Sequence, residues 1–382
     1  MNKKIVAVGL VVILALAALV GGLYFYTQKR MQRDSASKFA AAQALYEAKQ
    51  LSQAEAQFGE IAQKYPRSDV APESLRHLAL MLQSGGKYNE ALARWQSLEK
   101  IKNNPHAVET DYYIAACLEN IGRKAEALPR YSRVASKPQA GEFASLAKSG
   151  LGRIAESEGK IEEARTRYEE AIAQASTPGS RDVAEHLLGN LNLQEFLVPV
   201  ESEDKKAYLV QRGDSMVKIA LREKTTIDLL CAINGISDPT QLKPSKRIVI
   251  PHSEFSILID KSDFKLTLNS HGKFFKSYKV GLGKHGCTPV GEFIIDQKER
   301  NPRWWSNEGP VEPGDPHNEL GTRWMRLKPL TPNIGTDYGI HGTINPATIG
   351  WESSNGCPRM YPAEAEELFM LVSEGTPVTI VQ

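Results

Sequence analysis

The chain opens on an unbroken apolar run, Ile5 to Tyr26, without a charged residue. As a helix its roughly 22 residues, at about 1.5 Å each, reach about 33 Å, enough for a bilayer core of about 30 Å. The run is long for a signal-peptide core, and no A-x-A-like site precedes Lys29-Arg30. An uncleaved, single-pass membrane anchor is therefore expected over a cleaved signal. Flanking charge does not orient it, because Lys3 and Lys4 precede the run while Lys29, Arg30 and Arg33 follow it. The pattern then becomes helical and repetitive. Ala-x-x-x-aromatic recurs as Ala54/Phe58, Ala91/Trp95, Ala127/Tyr131 and Ala164/Tyr168, in steps of 37, 36 and 37 residues. A turn precedes each copy (Lys49-Gln50, Gly86-Lys87, Gly122-Arg123, Gly159-Lys160), and small residues recur one helix earlier at Ala42, Ala79, Ala115 and Gly152. This predicts antiparallel helix pairs in close approach, with the aromatic filling the space between repeats.

Residues 35 to 196 would hold four such pairs and a capping helix near Arg181 to Phe196. Pro199 and the charge run Glu201 to Lys206 read as a linker. Residues 208 to 251 follow the order strand, Gly-Asp turn, two helices, Asn-Gly turn, strand. Beyond them, period-two alternation at Ser256 to Asp260, Lys265 to Leu268 and Thr376 to Val381 predicts a mostly β domain. One helix is expected over Pro362 to Ser373, with Pro at its start and Gly375 past its end. Arg300 to Trp324, rich in Pro and Trp, is too long for a simple hairpin and predicts a loop covering a site. Its tryptophans would shield the site or anchor the loop.

Composition narrows the function. A chain of 382 residues can bury several cores, and a net charge of +2 gives no push toward nucleic acid. Cys117, Cys231, Cys287 and Cys357 show neither paired nor metal-ligand spacing. No disulfide scaffold, metal or cofactor is expected.

The chemistry lies in HGTINPATIGWESSNGCPRM, residues 341 to 360. A free thiol with a pKa of ~8.5 is only slightly ionised at neutral pH, and a nearby imidazole that takes its proton makes it a nucleophile. His341 and Cys357 read as base and nucleophile for acyl transfer. Gly356 permits a tight turn that exposes sulfur and converges backbone N–H groups on a developing oxyanion. Pro358 has no N–H, so the donors would come from Asn355, Gly356 or Cys357. Gly342 lets a main-chain carbonyl approach the imidazole and fix its tautomer. Tyr338 could offer a hydroxyl to the oxyanion or serve as a half-buried strand residue. Cys287, beside His285, is a weaker rival nucleophile, because neighbours on an extended strand face opposite ways.

These residues resemble the signature of the L,D-transpeptidase (YkuD-type) family: His341, Gly342, Thr343, Pro346, Ile349, Gly350, Ser354, Gly356, Cys357, Arg359 and Met360. The resemblance runs over roughly residues 254 to 382, through Val280-Gly281, Thr288 to Phe293 and Leu320 to Met325. Asn355 and Pro358 depart from it, standing where His and Ile or Val are usual. The resemblance implies attack by Cys357 on the third-residue carbonyl of a peptidoglycan tetrapeptide stem, with loss of D-Ala protonated by His341. A neighbouring stem amine would resolve the thioester into a 3→3 cross-link; water would make the site an L,D-carboxypeptidase. Arg359 would bind a donor carboxylate or form a structural ion pair. The repeats resemble the tetratricopeptide repeat, slightly longer than its usual period, implying either a partner-binding surface or a spacer. Residues 208 to 251 resemble the LysM module through Tyr208, Val210, Gly213, Asp214, Ile219, Ala220, Leu229, Asn234, Gly235, Leu242, Pro244, Ile248, Ile250 and Pro251, with Ser245 replacing a common glycine. A LysM module implies glycan binding.

The fold class expected is multidomain: a membrane anchor and flanks (1–34), an α-helical tetratricopeptide-like solenoid (35–196), a linker (197–207), a small βααβ LysM module (208–251) and a mostly-β L,D-transpeptidase domain (252–382). Peptidoglycan stems and glycan strands are the expected partners. A membrane-held, periplasmic enzyme is the expected setting, and an idle wall-binding scaffold is the alternative.

Overall fold

A computed structural model describes the backbone of residues 3–306 and 309–382, with side chains from residue 13 onward. The chain forms two compact units, Met1–Arg181 and Asp182–Gln382.

The first unit is helical: α1 (Lys3–Glu47), α2 (Leu51–Lys64), α3 (Ala71–Ser84), α4 (Tyr88–Glu99), α5 (Ala107–Asn120), α6 (Lys124–Ala135), α7 (Glu142–Ser157) and α8 (Ile161–Gln174). Among the described residues no helix is long and apolar enough to cross a membrane. The expected span, Ile5 to Tyr26, falls partly on residues 5–12, whose side chains lie outside those described. Helix α1 runs unbroken from that stretch into the first repeat, so no structural boundary falls near residue 34.

The repeat signature sits where its spacing predicts. Ala54, Phe58, Ala91, Trp95, Ala127, Tyr131, Ala164 and Tyr168 are fully buried. The small residues one helix earlier make room for the aromatics: a Cβ on Gly152 would come within 2.3 Å of the Tyr168 ring. Polar tips are satisfied. The Tyr131 hydroxyl donates to Glu119 at 2.7 Å, and Arg153 grips the same carboxylate at 2.8 and 2.7 Å. Gly152→Ala should therefore destabilise the repeats by about 1–3 kcal/mol, since a tight interior resists added volume. Gly59→Ala, where a Cβ meets nothing within 4 Å, should be neutral or slightly stabilising. Thermal melting followed by helical circular dichroism separates the two.

Helix α9 (Pro178–Leu197) contributes to the second unit from Asp182 onward. Asp182 and Glu185 pair with Lys265 at 2.7 and 3.0 Å, and the Asn192 amide donates to the Phe275 carbonyl at 2.8 Å. The stretch read as a linker is pinned as well. Buried Lys205 donates its ammonium to the Glu195, Phe196 and Val198 carbonyls at the end of α9, satisfying acceptors that a helix C-terminus leaves open.

The small module pairs β1 (Lys205–Leu209) antiparallel with β2 (Arg247–Pro251) around α10 (Met216–Arg222) and α11 (Ile227–Asn234). Ser215 and Thr226 cap the two helices by accepting from Lys218 N–H and Leu229 N–H. Ser245 adopts the left-handed backbone (φ +65°) in which glycine is favoured. Ile219, Leu230 and Ile250 form the module's own core, while Leu229, Ile233 and Val249 enter the core of the following sheet.

That sheet is built from β3 (Phe255–Asp260), β4 (Lys265–Ser270), β5 (Lys273–Lys279), β7 (Gly291–Arg300), β10 (Arg323–Pro329), β11 (Tyr338–His341) and β13 (Pro377–Val381), in the order β11-β10-β7-β13-β3-β4-β5. Among the described strands of this sheet only the β13–β3 pair is parallel. Helix α12 (Pro362–Leu371) ends two residues before the expected Ser373. Two small ribbons flank the sheet: β6 (Leu282–Gly283) with β12 (Glu352–Ser354), and β8 (Trp304–Ser306) with β9 (Gly309–Val311). The Pro/Trp-rich stretch thus holds a short hairpin rather than an irregular loop throughout.

Candidate active site

His341 closes β11 at the sheet edge, opposite Trp324 of β10. The segment after Cys357 lies alongside it. His341 N–H donates to the Pro358 carbonyl at 3.2 Å, and Met360 N–H donates to the His341 carbonyl at 2.9 Å. On its other side the segment exchanges two hydrogen bonds with Gly281, at 2.9 and 2.8 Å. Backbone pairing therefore fixes the cysteine turn against the strand that bears the imidazole.

Two hydroxyls shape the turn. Ser354 donates to the Cys357 carbonyl at 2.9 Å and accepts from Gly356 N–H at 3.1 Å. Thr288 donates to the Gly356 carbonyl at 2.8 Å and accepts from Gly283 N–H at 2.8 Å. The Gly356 N–H, one of the three oxyanion donors left open by the sequence, is thus engaged by Ser354. Asn355 and Cys357 N–H have no hydrogen-bond partner among the described residues. Gly356 matters for its backbone instead. Its φ is +135°, and a Cβ there would lie 2.7 Å from the Tyr338 ring and 3.1 Å from the Cys287 carbonyl. Tyr338 thus supports the turn with its ring.

His341 is 2% exposed. Its Nδ1 lies 2.5 Å from the Gly342 carbonyl. A carbonyl only accepts, so Nδ1 carries the proton and Nε2 is left as the acceptor. Burial, then the positive charge of Arg359, push the imidazole pKa down to about 4, against the Gly342 and Leu320 backbone. At neutral pH the ring is an uncharged base. The Cys357 thiol donates to the Asp337 carbonyl at 3.8 Å. Burial pushes its pKa up, while hydrogen bonding to the Gly339 backbone and the charge of Arg359 pull it down. The resting thiol and imidazole are thus both neutral, and the thiol's hydrogen bond runs to the Asp337 carbonyl.

Arg359 pairs with Glu319 at 2.5 Å, with its side chain 12% exposed. Of the two roles open from the sequence, the ion pair is the one displayed. Glu319 and Leu320 belong to the Pro/Trp-rich stretch, which therefore reaches the site, with buried Asn318 tying it to the Pro302 carbonyl at 2.8 Å. Trp324 packs on the imidazole, ring centroids 5.6 Å apart, while Trp305 is 72% exposed. Cys287 sits on a tight turn after left-handed His285 (φ +53°), not on the extended strand expected. It is exposed, and its carbonyl, rather than its thiol, is what abuts Gly356. All four cysteines are free.

The L,D-transpeptidase catalytic domain matches residues 254–380, the LysM domain residues 208–251 and a tetratricopeptide repeat-like domain residues 1–193. A Bacillus subtilis protein named L,D-transpeptidase YkuD is 33% identical over 180 residues, covering 45% of this chain and 97% of that protein. The chain belongs to the YkuD-type L,D-transpeptidase family. A second Bacillus subtilis protein, named L,D-transpeptidase YqjB, is 36% identical over 128 residues, 32% of this chain and 69% of that one. The solved Enterococcus faecium L,D-transpeptidase is 26% identical, covering 34% of this chain and 50% of that chain at a TM-score of 0.28.

With Cys357 as the nucleophile that the sequence predicts, its placement relative to the imidazole sets the acylation rate. Gly356→Ala should lower acylation of the thiol by about 10²-fold, the scale of a displacement near 1 Å. Stopped-flow or mass-spectrometric acylation rates check this, and an unchanged rate would mean that the turn absorbs a Cβ.

Proposed function

We propose that this L,D-transpeptidase forms a thioester between Cys357 and the third residue of a peptidoglycan tetrapeptide stem. Sulfur attacks the carbonyl carbon as the thiol proton passes to Nε2 of His341. The oxyanion is met by the free Asn355 and Cys357 N–H groups. Collapse breaks the bond to D-Ala, whose amine takes the proton from His341. A side-chain amine of a neighbouring stem then attacks the thioester, passes a proton through His341 to the departing sulfur, and releases Cys357 as the thiol with a 3→3 cross-link. Water in its place gives the L,D-carboxypeptidase reaction. The observation that carries this reading is the backbone pairing of His341 with Pro358 and Met360, which sets the turn bearing Cys357 against the strand bearing the imidazole.

The setting follows from the other domains. The LysM domain holds the glycan, so the stem is presented to an enzyme already on the polymer. Leu14, Leu19 and Phe25 on α1 are exposed, which supports a membrane anchor, and the proposed peptidoglycan substrate sets the enzyme outside the cytoplasm. The repeats would then offer a surface to a protein partner. Incubation of the full chain with a tetrapeptide-stem muropeptide tests the chemistry by intact mass. An adduct on Cys357 with release of D-Ala is expected, and dimeric product distinguishes transfer from hydrolysis. Neither adduct nor D-Ala would leave a wall-binding scaffold.

A further inference from the structure

Away from the sulfur, a groove of about 990 Å³ opens between the small module and the catalytic sheet. Its walls are the turn after α10, the start of β3, the β4–β5 turn and the connection from α12 to β13. None of its lining residues takes part in the acyl-transfer site, which lies on β11 at one edge of the sheet, while β4 and β5 lie at the other. None belongs to the module's own turns at 211–215 and 235–245 either. We infer that this groove is a second glycan site, which takes a chain of N-acetylhexosamine units. The inference rests on the peptidoglycan reading for its choice of polymer.

The lining selects the ligand. The floor is apolar, formed by buried Leu229, Phe255 and Leu371. Several rim charges are already spent: Arg222 pairs with Glu223 and Asp214, and His271 with Asp204. Lys224, Glu254 and Glu374 have no ion-pair partner among the described residues, leaving one cation against two carboxylates. A stem peptide with free carboxylates meets repulsion there. A neutral chain with hydroxyls to donate to carboxylates, and with apolar ring faces and acetyl methyls for the floor, fits both surfaces. Ser253, which lines the groove, keeps its hydroxyl oxygen buried without a hydrogen-bond partner. A buried polar atom left unpaired is costly, and rotation of the Ser253 side chain into the groove lets a sugar hydroxyl or acetamide supply the missing bond. The module wall of the groove is tied to the catalytic domain: Thr226 donates to the Met370 carbonyl of α12, and Arg300 of β7 pairs with Asp228. A strand held here is therefore held in fixed orientation to the enzyme.

Hydrogen exchange on the full chain with and without peptide-free N-acetylglucosamine hexamer tests this. Protection is expected at 252–256 and 373–377. It should need about tenfold or more hexamer in Glu254→Ala/Glu374→Ala and should weaken in Ser253→Ala, whose melting temperature should not fall. Protection confined to 211–215 and 235–245, absent altogether, or unchanged in these variants would overturn the inference. Acylation of Cys357 by a soluble tetrapeptide stem, measured on the same samples, should be equal in all of them. Its failure in the unaltered chain would sink the enzymatic reading and leave groove protection to be judged separately.

Discussion

Cys357→Ser should reduce acylation by at least about 10³-fold, the scale seen when a covalent nucleophile is removed, and should leave no adduct by intact mass. The site explains why a hydroxyl cannot substitute. The imidazole, with a pKa near 4, is a weak base because it is buried and faces Arg359. It can accept a proton from sulfur as the carbon–sulfur bond forms, but the far less acidic serine hydroxyl asks more of it than burial allows. Cys287→Ser provides the contrast. That residue touches the nucleophile's turn through its carbonyl, which serine retains, so activity should stay within about twofold, since surface changes away from packed features are close to neutral. If Cys287→Ser instead removes the adduct and Cys357→Ser keeps it, the assignment of nucleophile is reversed.

What the residues alone disclosed, and what they did not, divides along one physical line. Features set by local periodicity were readable: a 37-residue recurrence of Ala-x-x-x-aromatic can bury its aromatics only by stacking helix pairs, and alternation at Ser256 to Asp260 can only face one side to a core. The contact of the His341 ring with the Gly342 carbonyl was readable because an imidazole that is to act as a base needs orientation. The supports were not. Ser354 and Thr288 hold Gly356 through hydroxyls 2 and 68 positions distant, and nothing about an isolated Thr marks it as the acceptor for Gly283 N–H. Glu319 and Arg359 meet across 40 positions, so their pairing depends on where the Pro/Trp-rich stretch returns to the sheet. Lys205 looked like part of a charged linker, because its burial under the end of α9 is decided by tertiary packing. Even the Gly356 N–H, a natural oxyanion donor by position, is consumed by Ser354, a neighbour whose rotamer no sequence pattern specifies.

His341→Gln should lower acylation by about 10²- to 10⁴-fold, the usual worth of a positioned general base, and should also change how stability responds to acid. The second effect tests burial independently of chemistry. In the folded chain the imidazole titrates near 4 rather than 6.5. Between those values the unfolded chain binds a proton that the folded chain refuses, so His341 makes stability fall as pH drops from 6.5 toward 4. The full effect is roughly 3 kcal/mol. A second buried group opposes it. Burial, with Glu367 nearby, pushes the Glu364 carboxyl up to about 7 from 4.5. Across that interval the folded state holds the proton and gains stability as pH falls. The intact protein should therefore show a muted acid response, the resultant of two opposed slopes. Removing the imidazole leaves the Glu364 slope without that opposition, and the glutamine variant should grow more stable, relative to its own value at pH 7, as pH falls toward 5, above the range where depressed carboxylates such as Glu223 and Asp296 oppose it. Urea unfolding of the second unit at pH 7, 6, 5 and 4.5 measures both curves. Parallel curves would mean that the His341 ring is solvated and freely protonated, and the neutral-base account of the acylation step would fall with it.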